Sequence, residues 1–191
     1  MTGIPLFTAE PTGTCRLVLR RFCFGRSDGH GHDASVVIGE DEPATPRNPD
    51  GTRPLTGRRI PHDDPRWPAA CTGCGEPFAP SDEWQVNELD WYEGGGQRFC
   101  WGTGNWDGPP GAMIRSPWRD AEGRPPAWVV FLPNGTYWNT NDRASGEGNQ
   151  IGGYWDVTGT APAITVSPSI NDTSPSRPWH GWVRDGRLED A

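Results

Sequence analysis

The stretch Cys71-Thr72-Gly73-Cys74-Gly75 constrains the fold of this chain more than any other. Two cysteines three apart, with glycine between and after them, meet the needs of a metal knuckle. The glycines let the backbone turn tightly, so both thiolates point at one ion while backbone N–H groups turn toward the sulfurs. A tetrahedral Zn²⁺ takes four ligands, so the stretch supplies half a site. The other half must come from Cys15, Cys23, Cys100, His30, His32, His62 or His180. Five cysteines is an odd number. With no signal peptide opening the chain, they read as reduced thiols and metal ligands rather than a disulfide framework.

Composition sharpens the expected fold. Apolar residues make up 33% of the chain, yet eleven residues are Trp, and Gly and Pro together account for about a quarter. That level of Gly and Pro borders on low complexity. The tryptophans recur inside segments with strand-like patterning, which argues for an ordered chain with a small core of aromatic rings. The expected class is mainly β: small antiparallel sheets and hairpins around a zinc knuckle, rich in turns and loops, with little helix. All seventeen basic residues are Arg and none is Lys, the signature of a high-GC genome. The net charge of −8 disfavours nucleic acid, which needs clustered positive charge. No apolar run approaches the ~18 residues of a membrane helix. The expectation is a protein without a membrane span, placed in a virion or a host cytoplasm.

Along the chain, residues 1–14 read as a polar N-terminal arm and 15–191 as one zinc-stabilised domain. Cys15 to Phe24 is the first strong strand, with Ala34 to Ile38 as its hairpin partner across a turn-rich loop holding His30 and His32. Glu40 to Pro65 carries Pro, Asp, Gly and Arg and almost nothing apolar, so it reads as a long surface loop or disordered linker. Pro80 to Trp84 looks like a turn able to cap a short helical turn. Trp84 to Tyr92 and Arg98 to Trp101 flank Gly94-Gly-Gly96 as a hairpin. The clearest local signal is Trp128-Val-Val-Phe-Leu132 and Thr136-Tyr-Trp138 around Asn134-Gly135, a pair that tolerates positive φ. Ile164 to Ile170 is a further strand with Pro168 placing a bulge or edge inside it. Trp179 to Leu188 forms a last hairpin turning at Asp185-Gly186.

For the metal, Cys100 lies 26 residues after Cys74, beyond a hairpin-like segment, an ordinary spacing for a ribbon-type zinc site. His180 has the right chemistry for a fourth ligand, so the set Cys71, Cys74, Cys100 and His180 leads. Cys23 with His32, on the first hairpin, is the competing pair. Cys15 and Cys23 cannot both reach one ion across a straight strand, since eight residues span roughly 26 Å. An enzyme would need a metal with an open position and a carboxylate as general base. Cys71, Cys74 and His180 with Asp142 are the ingredients for that alternative, a zinc-dependent hydrolase. Asp142 sits in an Asn- and Ser-rich stretch of the kind that turns favour. No His-Glu-x-x-His, nucleophile elbow, Walker loop or dinucleotide fingerprint is present.

The order Cys15-Arg-Leu-x-x-Arg-Arg-Phe-Cys-Phe-Gly25, His32-Asp-Ala34, Cys71-x-x-Cys-Gly75, Trp84-Gln-Val86, Pro110-Gly-Ala-Met113 and Asn141-Asp-Arg-Ala-Ser145 resembles a protein family from tailed phages of high-GC actinobacteria. The likeness runs from about residue 15 to 188 and brings no activity with it. The ending is similar to a second group, small bacterial zinc-binding domains. In those a C-x-x-C-Gly precedes a Ser-Pro-Ser-Ile strand and a His–Asp-Gly hairpin, here Ser167 to Ile170 and His180 to Gly186. That group commonly has a cysteine near the final histidine, where this chain has Pro178 and Trp179. With no complete catalytic set and long Pro-rich segments that are stable only if something orders them, the leading expectation is a zinc-binding phage structural or interaction protein, with a virion component as one form of it. It would dock through its arm and its 40–65 loop on another phage structural protein, with binding to a host protein as the alternative.

Overall fold

A computed structural model describes residues 3–23, 32–54, 58–102, 108–117, 128–140, 155–174 and 177–191. Among them lie fourteen strands and no helix. In chain order these are β1 (Ile4–Pro5), β2 (Phe7–Thr8), β3 (Glu10–Cys23), β4 (His32–Pro43), β5 (Glu83–Gly94), β6 (Gln97–Trp101) and β7 (Ala112–Arg115). They continue with β8 (Trp128–Phe131), β9 (Tyr137–Asn139), β10 (Asp156–Thr160), β11 (Ala163–Ser167), β12 (Ile170–Asp172), β13 (Trp179–Arg184) and β14 (Arg187–Asp190). The chain is mainly β, as its turns and aromatic strands imply. Among the described residues no helix is long and apolar enough to cross a membrane.

The strands form three four-stranded sheets and one two-stranded ribbon. The first sheet has the order β4-β3-β5-β6, the second β2-β7-β8-β9, the third β1-β14-β13-β12, and β10 pairs with β11. All pairings are antiparallel except β2 with β7. The second sheet is the middle layer. In β7, Met113 joins one apolar cluster with Leu6, Val130, Leu132, Trp138, Val183 and Leu188. Its neighbours Ala112 and Ile114 join another with Tyr92, Phe99, Trp101 and Phe131. Side chains alternate across a strand, so a sheet apolar on both faces is buried on both. That explains why Trp128 to Leu132 is an unbroken apolar run. Each such side chain, fully buried, contributes roughly 1.5–3 kcal/mol.

The hairpin expectations hold. Phe131 faces Tyr137 across Asn134-Gly135, and Arg184 faces Arg187 across Asp185-Gly186, both of which have positive φ. The Gly94–Gly96 turn does more than close β5 on β6. A Cβ on Gly94 would lie 2.2 Å from the Thr8 carbonyl, and one on Gly95 2.6 Å from the Phe7 ring. The N-terminal segment therefore crosses directly over this turn.

Three segments differ from expectation. Residues 4–8, expected in a free arm, are stitched into two sheets. Ile4 pairs with Leu188 and Phe7 with Ala112, while Leu6 and Ala9 are buried. The Pro80 region is a turn without a helix, held by Asp82, whose carboxylate accepts from the Ala79 N–H at 2.6 Å. The strand expected from Ile164 to Ile170 is two strands: β11 ends at Ser167, and beyond Pro168 β12 enters a different sheet. Proline has no N–H to continue the first ladder.

Candidate metal centre

The knuckle is a short ribbon folded on itself. Ala70 bridges Pro77, the Phe78 N–H donates to the Ala69 carbonyl at 3.1 Å, and the Cys71 N–H donates to Glu76 O at 2.9 Å. Inside it, the Gly75 N–H closes on Cys71 O at 2.9 Å, with Gly75 at φ 76°. Only a residue tolerant of the left-handed region makes that return without strain. Cys71 is buried and Cys74 exposed.

The knuckle docks on the far end of the first sheet. Along β3 the buried positions there are Leu19, Arg21 and Cys23, every second residue, so all three point to the face the knuckle covers. The Arg21 guanidinium sits 3.6 Å from the Trp84 ring centroid and 4.5 Å from that of Phe78. It donates to the Ala79 carbonyl at 2.8 Å and to Pro68 O at 3.4 Å. Thr72 Oγ1 donates to the Asp33 carbonyl at 2.6 Å, tying the knuckle to the start of β4.

Docking there brings a third cysteine to the pair. The Sγ atoms of Cys23, Cys71 and Cys74 all lie within 4.8 Å of one another, with Cys23 and Cys74 at 3.9 Å. Thiolates bound tetrahedrally to one Zn²⁺ at ~2.3 Å stand about 3.8 Å apart, so the triangle fits an ion with little adjustment. Soft thiolates of this kind suit zinc, copper(I) or iron–sulfur chemistry rather than calcium or magnesium. Burial pushes the Cys71 thiol up. The N–H groups of Cys74 and Gly73, with the thiols of Cys74 and Cys23, outweigh that and hold it below its ordinary value. A site already arranged to favour a thiolate is arranged to favour a cation beside it.

The remaining expected ligands lie elsewhere. Cys100 pairs with Trp91 across β5 and β6 and packs with Val18 and Leu89. The rung beside Cys23 on β5 is Glu83, opposite Phe22. Eight residues of strand, about 26 Å, separate that rung from Trp91. His180 lies in the third sheet, exposed, with Nε2 3.1 Å from Ser169 Oγ. His62 stacks on Trp84 at 4.5 Å. Cys15 lies 3.7 Å from the Glu88 carboxylate, and burial with that negative charge pushes its pKa up to about 11. His30 and Asp142 lie outside the described residues. His32 is the Cα partner of Cys23, at the last rung of the β3–β4 ladder.

The described part of the 40–65 segment, expected as a long surface loop or disordered linker, is clamped to β5. Glu88 accepts from the Thr45 N–H at 2.8 Å and Thr45 Oγ1 at 2.6 Å, with Arg53 at 3.3 Å and Arg58 at 3.6 Å. Asp90 takes Arg47 at 2.7 Å and a second, close contact from Arg53. Burial raises the Glu88 pKa, but the Thr45 bonds and the two guanidinium groups reverse it, so its carboxyl titrates below its usual range. The same segment walls a groove of about 950 Å³ with Arg58, Arg59, His62, Trp67 and Trp84. Most of that lining is already engaged, Arg58 with Glu88 and the rings with one another.

Sequence reasoning placed Cys23 second to Cys100, yet a signal for it was available. The strand after the knuckle starts nine residues past Cys74, so the knuckle must sit at the start of β5. An antiparallel β3 brings its C-terminal end, Cys23, to that same place.

No protein-family model, curated protein or solved structure matches the chain.

Proposed function

We propose that this chain is a zinc-stapled interaction protein, with the ion held by Cys23, Cys71 and Cys74 and serving the fold rather than a reaction. The observation that carries the reading is the triangle of three Sγ atoms within 4.8 Å, at the spacing one tetrahedral ion requires. Ligand sets rich in cysteine are the structural type. Catalytic zinc more often has histidine and carboxylate with an open position. Around the triangle, Arg21 and Thr72 lock the knuckle to β3 and β4, as expected of a staple.

The partner in this reading is another protein, and the setting a tailed phage of a high-GC actinobacterium. What supports the setting is the motif order from Cys15 to Ser145 and the all-Arg composition. The net charge of −8 supports a protein partner over nucleic acid.

Metal analysis of the purified chain tests the site. One zinc per chain is expected, lost in Cys23→Ser, Cys71→Ser and Cys74→Ser and kept in Cys100→Ser and His180→Ala. A wild-type chain free of metal, or one whose zinc survives Cys23→Ser, overturns it. Mass spectrometry of purified phage particles tests the setting: the chain is expected in stoichiometric amounts, and its absence rejects the virion role.

A further inference from the structure

We propose that Cys74 is an oxidation site: a peroxide attacks its sulfur, Cys23 resolves the product as a Cys23–Cys74 disulfide, and the ion held by the thiolate triangle is released. The release step rests on reading that triangle as a metal site; the new bond does not. Two observations carry the inference, access and distance.

Access separates the cysteines. Cys15, Cys23, Cys71 and Cys100 are buried, and Cys74 is exposed. An oxidant in solution therefore meets Cys74 first. Cys15 is a poor target on a second count. The thiolate is the reactive form, and burial beside the Glu88 carboxylate keeps the Cys15 thiol protonated.

Distance picks the partner. Cys23 Sγ lies 3.9 Å from Cys74 Sγ. A disulfide is about 2.05 Å long, so the two sulfurs must close by about 2 Å. Cys23 ends β3 and is held by its ladder with β4, so the movement falls to Cys74. Glycines stand on both sides of Cys74, and a Cβ on Gly75 would meet nothing within 4 Å. The tip of the knuckle thus has both the backbone freedom and the space to shift. Cys71 suits the role less well. Its sulfur already accepts from the N–H groups of Cys74 and Gly73, and a bond to Cys74 would break that arrangement.

One peroxide balances one bond. The Cys74 thiolate takes an oxygen from hydrogen peroxide: S–O forms, O–O breaks and hydroxide leaves. The Cys23 thiolate then attacks that sulfur: S–S forms, S–O breaks and a second hydroxide leaves. Each sulfur gives up one electron and the peroxide takes both. The hydroxides gain protons from solvent and become water. An ion bound there loses two of its three thiolates and departs as Zn²⁺, its own charge unchanged. A dithiol reverses the step by reducing the disulfide and freeing both thiolates.

The test uses the full wild-type chain, loaded with Zn²⁺ and treated with one equivalent of hydrogen peroxide. A chromogenic chelator reads released zinc, and peptide mapping without reduction reads the bond. Alkylation after unfolding reads the remaining thiols. One zinc is expected to leave for each Cys23–Cys74 bond, with Cys15, Cys71 and Cys100 still open to alkylation. Cys74 is expected to react on the order of tenfold faster than Cys15 or Cys100. Dithiothreitol should then restore zinc binding in full.

A bond from Cys71 to either neighbour, or oxidation of Cys74 without a bond, overturns the proposal, as does zinc that stays in place while the bond forms. A chain that takes up no zinc yet forms the Cys23–Cys74 bond removes the metal reading and leaves the oxidation site standing. A chain that holds zinc and forms no such bond does the reverse.

Discussion

At the Glu10 end of β3 the protein is held by rings and aliphatic groups; at the Cys23 end it is held by charges and sulfur. Where β5 and β6 turn, Tyr92, Phe99 and Trp101 pack on Ile114, Val129 and Phe131, and a second apolar cluster lies beyond the middle sheet. Further along the first sheet, a smaller apolar cluster among the described residues holds only Val18, Leu89 and Cys100. Glu88 and Asp90 with Arg47, Arg53 and Arg58 take over, then Arg21 between Phe78 and Trp84, then the three thiols. The first mechanism is non-directional and tolerates repacking. The second depends on named atoms at fixed distances, and removing one leaves a buried group unpaired. One strand thus carries two kinds of stability, and they should fail under different insults.

The largest effect expected is from metal removal. Chelation should speed amide exchange by on the order of 10⁴-fold over 20–23, 33–36 and 67–84 while 112–115 and 128–131 stay protected. Hydrogen-exchange mass spectrometry reads both regions at once. Equal loss in both would dissolve the contrast. Phe131→Ala should do the reverse, lowering global stability in urea by about 4 kcal/mol while one equivalent of zinc is retained.

Glu88→Gln should cost about 2 kcal/mol at neutral pH, because two guanidinium groups and Thr45 lose an ionised partner. The effect has a definite pH sign. A carboxyl held below its unfolded pKa adds stability that is complete above the unfolded value and is lost as pH falls through the folded one. The difference between wild type and Glu88→Gln should therefore shrink on acidification below the ordinary carboxylate range, as followed by urea midpoints from pH 6 to 3. A difference that does not change with pH would sever the link to ionisation. Arg21→Lys, which keeps the charge and loses the planar stack, should cost about 1 kcal/mol and quicken zinc loss to a chelator. Arg184→Ala, at an exposed pair with Glu189, should change stability by less than about 0.5 kcal/mol.

Much of the apolar region was legible in the sequence because its signals are local. Asn134-Gly135 and Asp185-Gly186 announce hairpins through the φ they tolerate, and Trp128 to Leu132 announces a buried strand through its continuity. The polar region was harder. Thr45, Arg47 and Arg53 find partners 35 to 43 residues away. No local pattern separates such a segment from a solvated loop. Cys23 was open to the same error, since its link to the knuckle spans 48 residues and exists only once β3 and β5 are paired. Residues 4–8 escaped notice because two-residue pairings carry no period. Their strand character comes from β14 and β7.

That last pairing bears on how the molecule is made. Ile4 waits for Leu188, and the Leu6 N–H for the carbonyl of Gly186. While the chain emerges from a ribosome, Phe7 can pair once Ala112 is made, but Ile4 has no ladder partner until the closing hairpin has been synthesised. Closing so wide a loop is slow, because its entropy is lost before the contacts repay it. The early-made β3–β4–β5 part has no such wait, so during synthesis the thiol end can be finished while the oily end is still ajar.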